Sequence, residues 1–262
     1  MKEHHTGNGE DEAHRGKPRV PGREPLSKPL PKRFYKAATH RAADGHGFVI
    51  ELDGRPVRTP AKNPLLLPTA ALAEAVAAEW AAQGERIDPA TMPLTRLVNS
   101  AIDGVATRMD EVAADVVAFA GSDLTCYRAE APRELTHRQH ERWDPVLAWA
   151  AERLGHRFAV GQGVMPVSQS KAALASLAEA IRPLTALELA ALHVMTTLTG
   201  SALLAFAHLE GRIGAHEAWT SAHVDEDWQI SQWGEDAEAT ARRAFRWGEM
   251  QAASRLVALI RD

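Results

Sequence analysis

The sequence predicts an α+β fold in which a small N-terminal β-rich domain precedes a larger all-helical domain. Short apolar runs separated by Asp-Gly steps and prolines fill residues 33–67, a pattern typical of short strands and hairpins. From Pro68 onward, apolar residues recur at intervals of three or four, which indicates helices. We therefore expect a helical domain over 68–262. Residues 1–32 contain almost nothing apolar to bury, so we expect a disordered tail there.

Composition excludes several classes of partner and site. The 262 residues include 30 basic and 34 acidic side chains, giving a net charge of -4, which provides no general attraction to nucleic acid or to anionic membranes. Cys126 is the one cysteine, which rules out a disulfide framework and favours a reduced compartment. The N-terminal segment has no apolar stretch like that of a secretory signal, and its acidic run at 10–12 is unlike a mitochondrial presequence.

The β-rich region is predicted from one strong strand and the turns around it. Residues 47–52 read as a strand, the Asp-Gly step at 53–54 as a hairpin turn, and 65–67 as a further apolar run. The exposed charges here are mostly basic, which favours a solvated face over a binding patch. The residues concerned are Lys32, Arg33, Lys36, Arg41, Arg55, Arg58 and Lys62.

Capping and breaking residues predict the first helices. Thr69 is the expected N-cap of a helix that ends near Gly84. A second helix is expected over 93–119, with a kink or break at 103–104, and a third over 135–154.

Pro145 could interrupt the third of these helices. Three further segments are predicted after it. Residues 158–160 resemble a short strand, and 171–181 a short helix. A long helix is expected over 184–208, and its uncharged centre raises the question of a membrane span. Its polar His, Thr and Ser residues favour a central helix of a soluble bundle, with His193 and His208 as hydrogen-bonded core groups.

The last two predicted helices, 214–233 and 236–260, carry the most informative chemistry. On a helical wheel one stripe of the first helix is mainly apolar, with Val224 and Trp228 on the opposite side. The stripe comprises Ala215, Trp219, Ala222, Glu226, Ile230 and Trp233. Glu226 must be paired if this stripe is core, because an unpaired buried carboxylate is costly, whereas on a partner-facing stripe it could meet a cation of the partner. Both interpretations stay open.

No motif for catalysis is complete. Ser168 and Lys171 match Ser-x-x-Lys without its companion motifs, and 161–163 is a lone Gly-x-Gly. His137, His140 and Glu141 share one helical face but lack a diagnostic metal motif, and Cys126 is expected to be a small core residue. We therefore expect no catalytic residues, no metal and no cofactor, and a chain that is not an enzyme.

Several runs of residues, in order along the chain, resemble the ATP synthase F1 assembly chaperones that bind the alpha subunit. The sequence GFVIELDGRPVRTPAK at 47–62 is similar to the N-terminal signature of that family. The other runs are EW at 79–80, MPLT at 92–95, NSAID at 99–103, SDLTCYRA at 122–129, WDP at 143–145, TGS at 199–201, DEDWQI at 225–230 and WG at 233–234. The resemblance covers about residues 33–247 and departs at Ser100, where threonine is expected.

The resemblance implies a molecular chaperone that binds the unassembled alpha subunit and prevents its aggregation until it pairs with beta. Such a client exposes an apolar interface, which calls for a complementary apolar surface with orienting charges. The residues expected to form that surface are Glu226, Ile230, Trp233, Glu235 and Asp236. The expected location is the bacterial cytoplasm, or the mitochondrial matrix in a eukaryote. Alternatives are a generic holdase, an enzyme with an unreadable site and, less favoured, a membrane-associated assembly protein.

Overall fold

The computed structural model describes residues 29–45, 47–163 and 165–261. The disordered tail predicted for the N-terminus lies outside the described residues up to position 28. Close to the start of the described chain, Pro31 accepts a backbone hydrogen bond of 2.9 Å from Ile87, and Arg33 donates one of 2.8 Å to Glu85. The chain therefore begins its described course against the segment at 85–87.

Four short strands form an antiparallel sheet. They are β1 (Ala38–Ala42), β2 (Phe48–Leu52), β3 (Arg55–Pro56) and β4 (Leu66–Leu67), and β2 pairs with all three others. Asp53 and Gly54 between β2 and β3 both have positive φ, 48° and 78°, as a two-residue type I′ turn requires. The predicted strand at 47–52 and the hairpin after it are confirmed.

The inner face of the sheet packs on the first helix, α1 (Ala70–Ala81). Ile50 and Leu67 on the sheet are completely buried, as are Leu72 and Val76 on α1, and all four belong to one hydrophobic core that continues into the helices. Thr69 caps α1 as predicted, because its side chain accepts a hydrogen bond from the backbone of Leu72. The helix ends earlier than Gly84.

Nine further helices and a small parallel pair of strands complete the described chain. α6 lies at the centre and packs against α2, α3, α7 and α10. None of the helices in the described residues is both long enough and apolar enough to cross a membrane. The elements are α2 (Pro93–Asp103), α3 (Met109–Gly121), β5 (Tyr127–Arg128), α4 (Arg133–Leu154), β6 (Gly161–Gln162), α5 (Lys171–Ile181), α6 (Ala186–Thr199), α7 (Ala202–Leu209), α8 (Ala215–Ala222), α9 (Val224–Trp233) and α10 (Ala237–Arg261).

Two predicted long helices are each divided in two. The predicted 184–208 helix ends at Gly200, which has a left-handed φ of 67°, and Ser201 then caps α7. The predicted 214–233 helix is interrupted at His223, whose ψ of 21° departs from helical geometry. The break anticipated at 103–104 is confirmed, since a short 3-10 turn separates α2 from α3.

Two smaller predictions are wrong. The strand predicted at 158–160 is instead the two-residue β6, which pairs in parallel with β5. Helix α4 continues through Pro145 without interruption.

A buried carboxylate joins the loop after α3 to the start of α7. Asp123 accepts hydrogen bonds from the Ser201 hydroxyl at 2.7 Å, the Thr125 hydroxyl at 2.8 Å and the backbone N–H of Leu203 at 3.0 Å. Cys126 lies next to this cluster, fully buried, and burial together with the nearby Asp123 raises the pKa of its thiol to about 12. A thiol so strongly protonated is a poor nucleophile, as expected of a core residue.

The two histidines of the apolar helices have hydrogen-bond partners. His208 contacts the Ile213 carbonyl at 3.0 Å and the Ser254 hydroxyl at 2.9 Å. His193 contacts the Asp115 carboxylate at 2.8 Å and is partly exposed. The prediction of satisfied polar groups is therefore confirmed for both, although His193 lies nearer the surface than a core position.

Candidate functional site

A groove of about 720 Å³ lies between α9 and the N-terminal half of α10, with α8 at its base; we call it the α9–α10 groove. It contains all five of the residues predicted to bind a partner, Glu226, Ile230, Trp233, Glu235 and Asp236. The other lining residues are Trp219, His223, Gln229, Gly234, Ala239, Thr240, Arg242, Arg243, Ala244, Arg246 and Trp247. The structure thus brings the predicted residues together in one concave surface.

The orientation of α9 decides which of its sides is available. Val224 and Trp228 are buried, 6% and 8% exposed, so the opposite side of the helix faces outward. Glu226 on that outer side is 56% exposed, Ile230 is half-buried and Trp233 is 80% exposed. On α9, the stripe that includes Glu226 is therefore not core.

The prediction that the residues from Ala215 to Trp233 form one stripe on a single continuous helix is wrong. The break at His223 changes the direction of the chain, so the α8 and α9 parts of the stripe have different surroundings. Trp219 on α8 is only 5% exposed, whereas Trp233 on α9 is largely exposed. Both line the same groove, Trp219 at its base and Trp233 at its rim.

Aromatic rings form the base of the groove. The His223 imidazole lies 3.9 Å from the Trp219 indole between ring centroids, and Trp247 of α10 lies 5.4 Å from Trp219. Nδ1 of His223 is 2.7 Å from the Trp219 carbonyl, to which the neutral ring donates. Burial lowers the pKa of His223 and outweighs the opposing effects of the hydrogen bond to the Trp219 carbonyl and of Glu226, whose carboxylate is 3.9 Å from Nε2. The base of the groove is thus aromatic and uncharged at neutral pH.

The acidic residues at this end of the molecule have different roles. Asp236 accepts a 2.7 Å hydrogen bond from the backbone N–H of Ala239 and so caps α10. Glu238 pairs with Arg242 one turn later, at 2.7 Å. Asp225 accepts a 2.7 Å hydrogen bond from Gln139 of α4 and so fixes α9 to the body of the protein.

The basic wall of the groove was missed by sequence reasoning. Arg242, Arg243 and Arg246 lie on α10 and line the groove opposite the acids of α9. Arg243 donates to Asp227 at 2.5 Å, and Arg246 donates to the Leu198 carbonyl at 2.6 Å. A signal was present, because the spacing of 243, 246 and 247 places two arginines and a tryptophan on one side of a helix.

The histidine-rich side of α4 forms local pairs. His137 lies 3.5 Å from Glu141, and His140 lies 2.8 Å from Asp144. Within the described residues no group of three His, Cys, Asp or Glu side chains is arranged to hold a metal ion.

Part of the basic surface of the β-rich region is also used in local contacts. Arg41 pairs with Glu51 at 2.6 Å, and Arg58 donates to the Lys62 carbonyl at 2.9 Å. Arg33 donates to main-chain carbonyls at the end of α1, including that of Ala81 at 3.3 Å. These contacts favour the interpretation of a structural, solvated face.

The α9–α10 groove combines an aromatic base, an exposed indole at its rim, acids on one wall and arginines on the other. Aromatic and arginine side chains are the residues most often found at the centre of protein interfaces. Opposed charges orient a partner that enters between them. The arrangement therefore suits a polypeptide segment with apolar and charged side chains.

The chain as a whole is similar in sequence and fold to known proteins. The model of the family described as ATP12 chaperone protein matches residues 32–151. A proposed chaperone from Agrobacterium tumefaciens has 50% sequence identity and a TM-score of 0.85, over 89% of this chain and 87% of that one. Atp12 from Paracoccus denitrificans has 43% identity and a TM-score of 0.83, over 88% of this chain and 98% of that one, as does an aspartate-to-lysine variant of it. The chain belongs to the ATP12 chaperone family.

Proposed function

We propose that this protein is an assembly chaperone for the F1 part of ATP synthase, and that it holds the unassembled alpha subunit in the α9–α10 groove. The observation that carries the proposal is the convergence of Glu226, Ile230, Trp233, Glu235 and Asp236 on that groove. These residues come from the part of the chain whose DEDWQI and WG runs resemble the alpha-binding assembly chaperones.

The chemistry of the groove fits a client of this kind. An unassembled subunit exposes an apolar interface that later becomes buried, and such a surface promotes aggregation while it is free. Trp233, which is 80% exposed, and the half-buried Ile230 offer apolar contact area. Glu226 and Glu235 are exposed beside them and would orient a client segment that carries a Lys or Arg side chain.

The proposed function is binding and not catalysis. The groove consists of aromatic, acidic and arginine side chains, and its one histidine donates to a backbone carbonyl at its base. We propose the bacterial cytoplasm as the site of action, in keeping with the bacterial sources of the similar structures.

Co-purification of the tagged chain from its own cells tests the proposal. The tagged parent, a Glu226→Lys variant and a Glu217→Lys variant are isolated side by side, and free alpha subunit is quantified in each eluate. Glu217 is the matched control, because it is an exposed glutamate in the first turn of α8, as Glu226 is in the first turn of α9, but it does not line the groove.

We expect alpha subunit with the parent and with Glu217→Lys, and at least tenfold less with Glu226→Lys at an unchanged melting temperature. Equal recovery with all three would remove Glu226 from the client surface while keeping the chaperone assignment. Absence of alpha subunit from every eluate would overturn the proposed client.

A further inference from the structure

We infer that the ion pair between Asp227 and Arg243 is a clasp that sets the width of the α9–α10 groove, so that these two are positioning residues for client binding. The inference rests on the proposed function for its consequence.

The two walls of the groove are anchored in different ways. α9 is fixed to α4, because Gln139 donates to Asp225 at 2.7 Å and the Arg138 guanidinium lies 5.0 Å from the centre of the Trp228 ring. Val224 and Trp228 are buried along the same side. The α9 wall is therefore part of the body of the protein.

α10 is anchored in its C-terminal half. The first fully buried side chain of α10 is that of Met250. Two hydrogen bonds also hold this half of the helix: the Ser254 hydroxyl lies 2.9 Å from His208, and Arg261 donates to the Leu209 carbonyl at 2.6 Å. Every residue from 237 to 246 is exposed except Arg243, which is half-buried. The first three turns of α10 therefore project from the body with little apolar burial to hold them.

The Asp227–Arg243 pair closes the gap between these walls. Its atoms are 2.5 Å apart, and the side chains of Arg243 and Asp227 are 24% and 44% exposed. Within the described residues it is the one side-chain hydrogen bond that joins α9 to α10. Arg246 makes a second tie, to the Leu198 carbonyl at the end of α6, which holds α10 to the body of the protein but does not join it directly to α9.

The loop between the helices permits movement if this pair is lost. Gly234 ends α9 with a φ of 87° and a ψ of 177°, a backbone conformation open mainly to glycine. Asp236 caps α10 separately, so α10 keeps its own N-terminus when its direction changes. Trp247 packs against Trp219 one turn after Arg243, so the turns of α10 before Trp247 depend for their distance from α9 on the Asp227–Arg243 pair.

Distances between spin labels on the two walls test the clasp directly. Labels are attached at Gln232→Cys on α9 and Ala241→Cys on α10, two exposed positions outside the groove lining. Cys126 is fully buried with a strongly raised thiol pKa and does not compete for the label. The same proteins are titrated with purified alpha subunit.

Three variants are compared with the parent. Arg243→Glu places a negative charge opposite Asp227, and the double variant Asp227→Lys, Arg243→Glu restores an ion pair of reversed polarity. Arg255→Glu is the control, because Arg255 is an exposed arginine on the same helix that does not line the groove.

We expect Arg243→Glu to lengthen the mean distance between the labels and to broaden its distribution. Client binding should weaken about tenfold, as expected if about a tenth of the molecules keep the helix separation that binds the client. The double variant should recover both the distance and most of the affinity, and Arg255→Glu should match the parent in both. An unchanged distance in Arg243→Glu overturns the clasp, and a changed distance with unchanged affinity overturns its role in binding. If the parent fails to bind alpha subunit, the proposed function and the role in binding fail together, while the distances still decide the clasp.

Discussion

The imidazole of His223 is stacked against the indole of Trp219, with ring centroids 3.9 Å apart and Nδ1 2.7 Å from the Trp219 carbonyl. Only 5% of the His223 side chain is exposed, and it lies directly beneath the exposed carboxylate of Glu226. The base of the proposed client groove therefore contains the His223 imidazole, whose pKa is lowered by burial so that the ring is neutral at pH 7.

This contact predicts that stability falls on acidification. Burial lowers the pKa of His223 in the folded state, and Arg243 and Arg246 reinforce the shift. Below the ordinary histidine pKa of about 6.5 the unfolded chain therefore binds more protons, so the free energy of unfolding decreases as the pH falls through this range. Urea unfolding at pH 7.5 and 5.5 should show a smaller decrease in His223→Gln than in the parent. The exposed His216, changed to Gln, should behave like the parent; an equal effect of both variants would contradict the prediction.

The buried carboxylate of Asp123 predicts a large loss on truncation. Asp123→Ala leaves the Ser201 and Thr125 hydroxyls and the Leu203 N–H without their acceptor, each at about 1–3 kcal/mol. We expect the free energy of unfolding in urea to fall by about 3–5 kcal/mol, and by about 1 kcal/mol for Thr125→Val, which removes one hydroxyl donor only. Similar values for the two variants would show that Asp123 is not the centre of this cluster.

Gly47 predicts a local sensitivity of the sheet. It has a φ of 86°, and a Cβ atom there would lie 2.6 Å from the Leu67 carbonyl oxygen of β4. Gly47→Ala should lower the free energy of unfolding by about 1–3 kcal/mol, because backbone strain and the contact with β4 combine. A Cβ atom at Gly84 would meet no atom within 4 Å, so Gly84→Ala should change stability by less than about 0.5 kcal/mol. Circular dichroism during thermal unfolding distinguishes the two.

Trp233 predicts an effect on binding without an effect on folding. Its side chain is 80% exposed at the rim of the groove, so Trp233→Ser should leave the melting temperature within about 2 °C of the parent. Loss of an aromatic anchor should weaken binding of the alpha subunit at least about tenfold, measured by calorimetric titration. Phe245 is also an exposed aromatic, 60% exposed, but does not line the groove, so Phe245→Ser should bind like the parent.

Local signals made much of the fold predictable. The Thr69 cap, the hairpin at 53–54 and the break near Gly104 each depend on residues close together in the chain. The break at Gly200 was not predicted, because the apolar residues on both sides of it continue the pattern of a single buried helix. The strand near 158–160 was misplaced, since a two-residue strand depends on its partner β5 more than on its own sequence.

The candidate site could be predicted only on its acidic side. The residues of α9 stood out because an acid interrupted an apolar stripe, although that stripe was drawn through the break at His223. Arg243 and Trp247 were missed because α10 meets α9 through tertiary packing, which no periodicity in either helix specifies.

Site-specific photo-crosslinking tests the central claim most directly. A benzophenone amino acid replaces Gln229, which lines the groove, or Gln251, which is exposed on α10 outside it, and each protein is irradiated with purified alpha subunit. The account predicts a crosslink to the alpha subunit from position 229 and none from position 251. Crosslinking from 251 but not from 229, or from neither position while the complex is formed, would contradict the assignment of the α9–α10 groove as the client-binding surface.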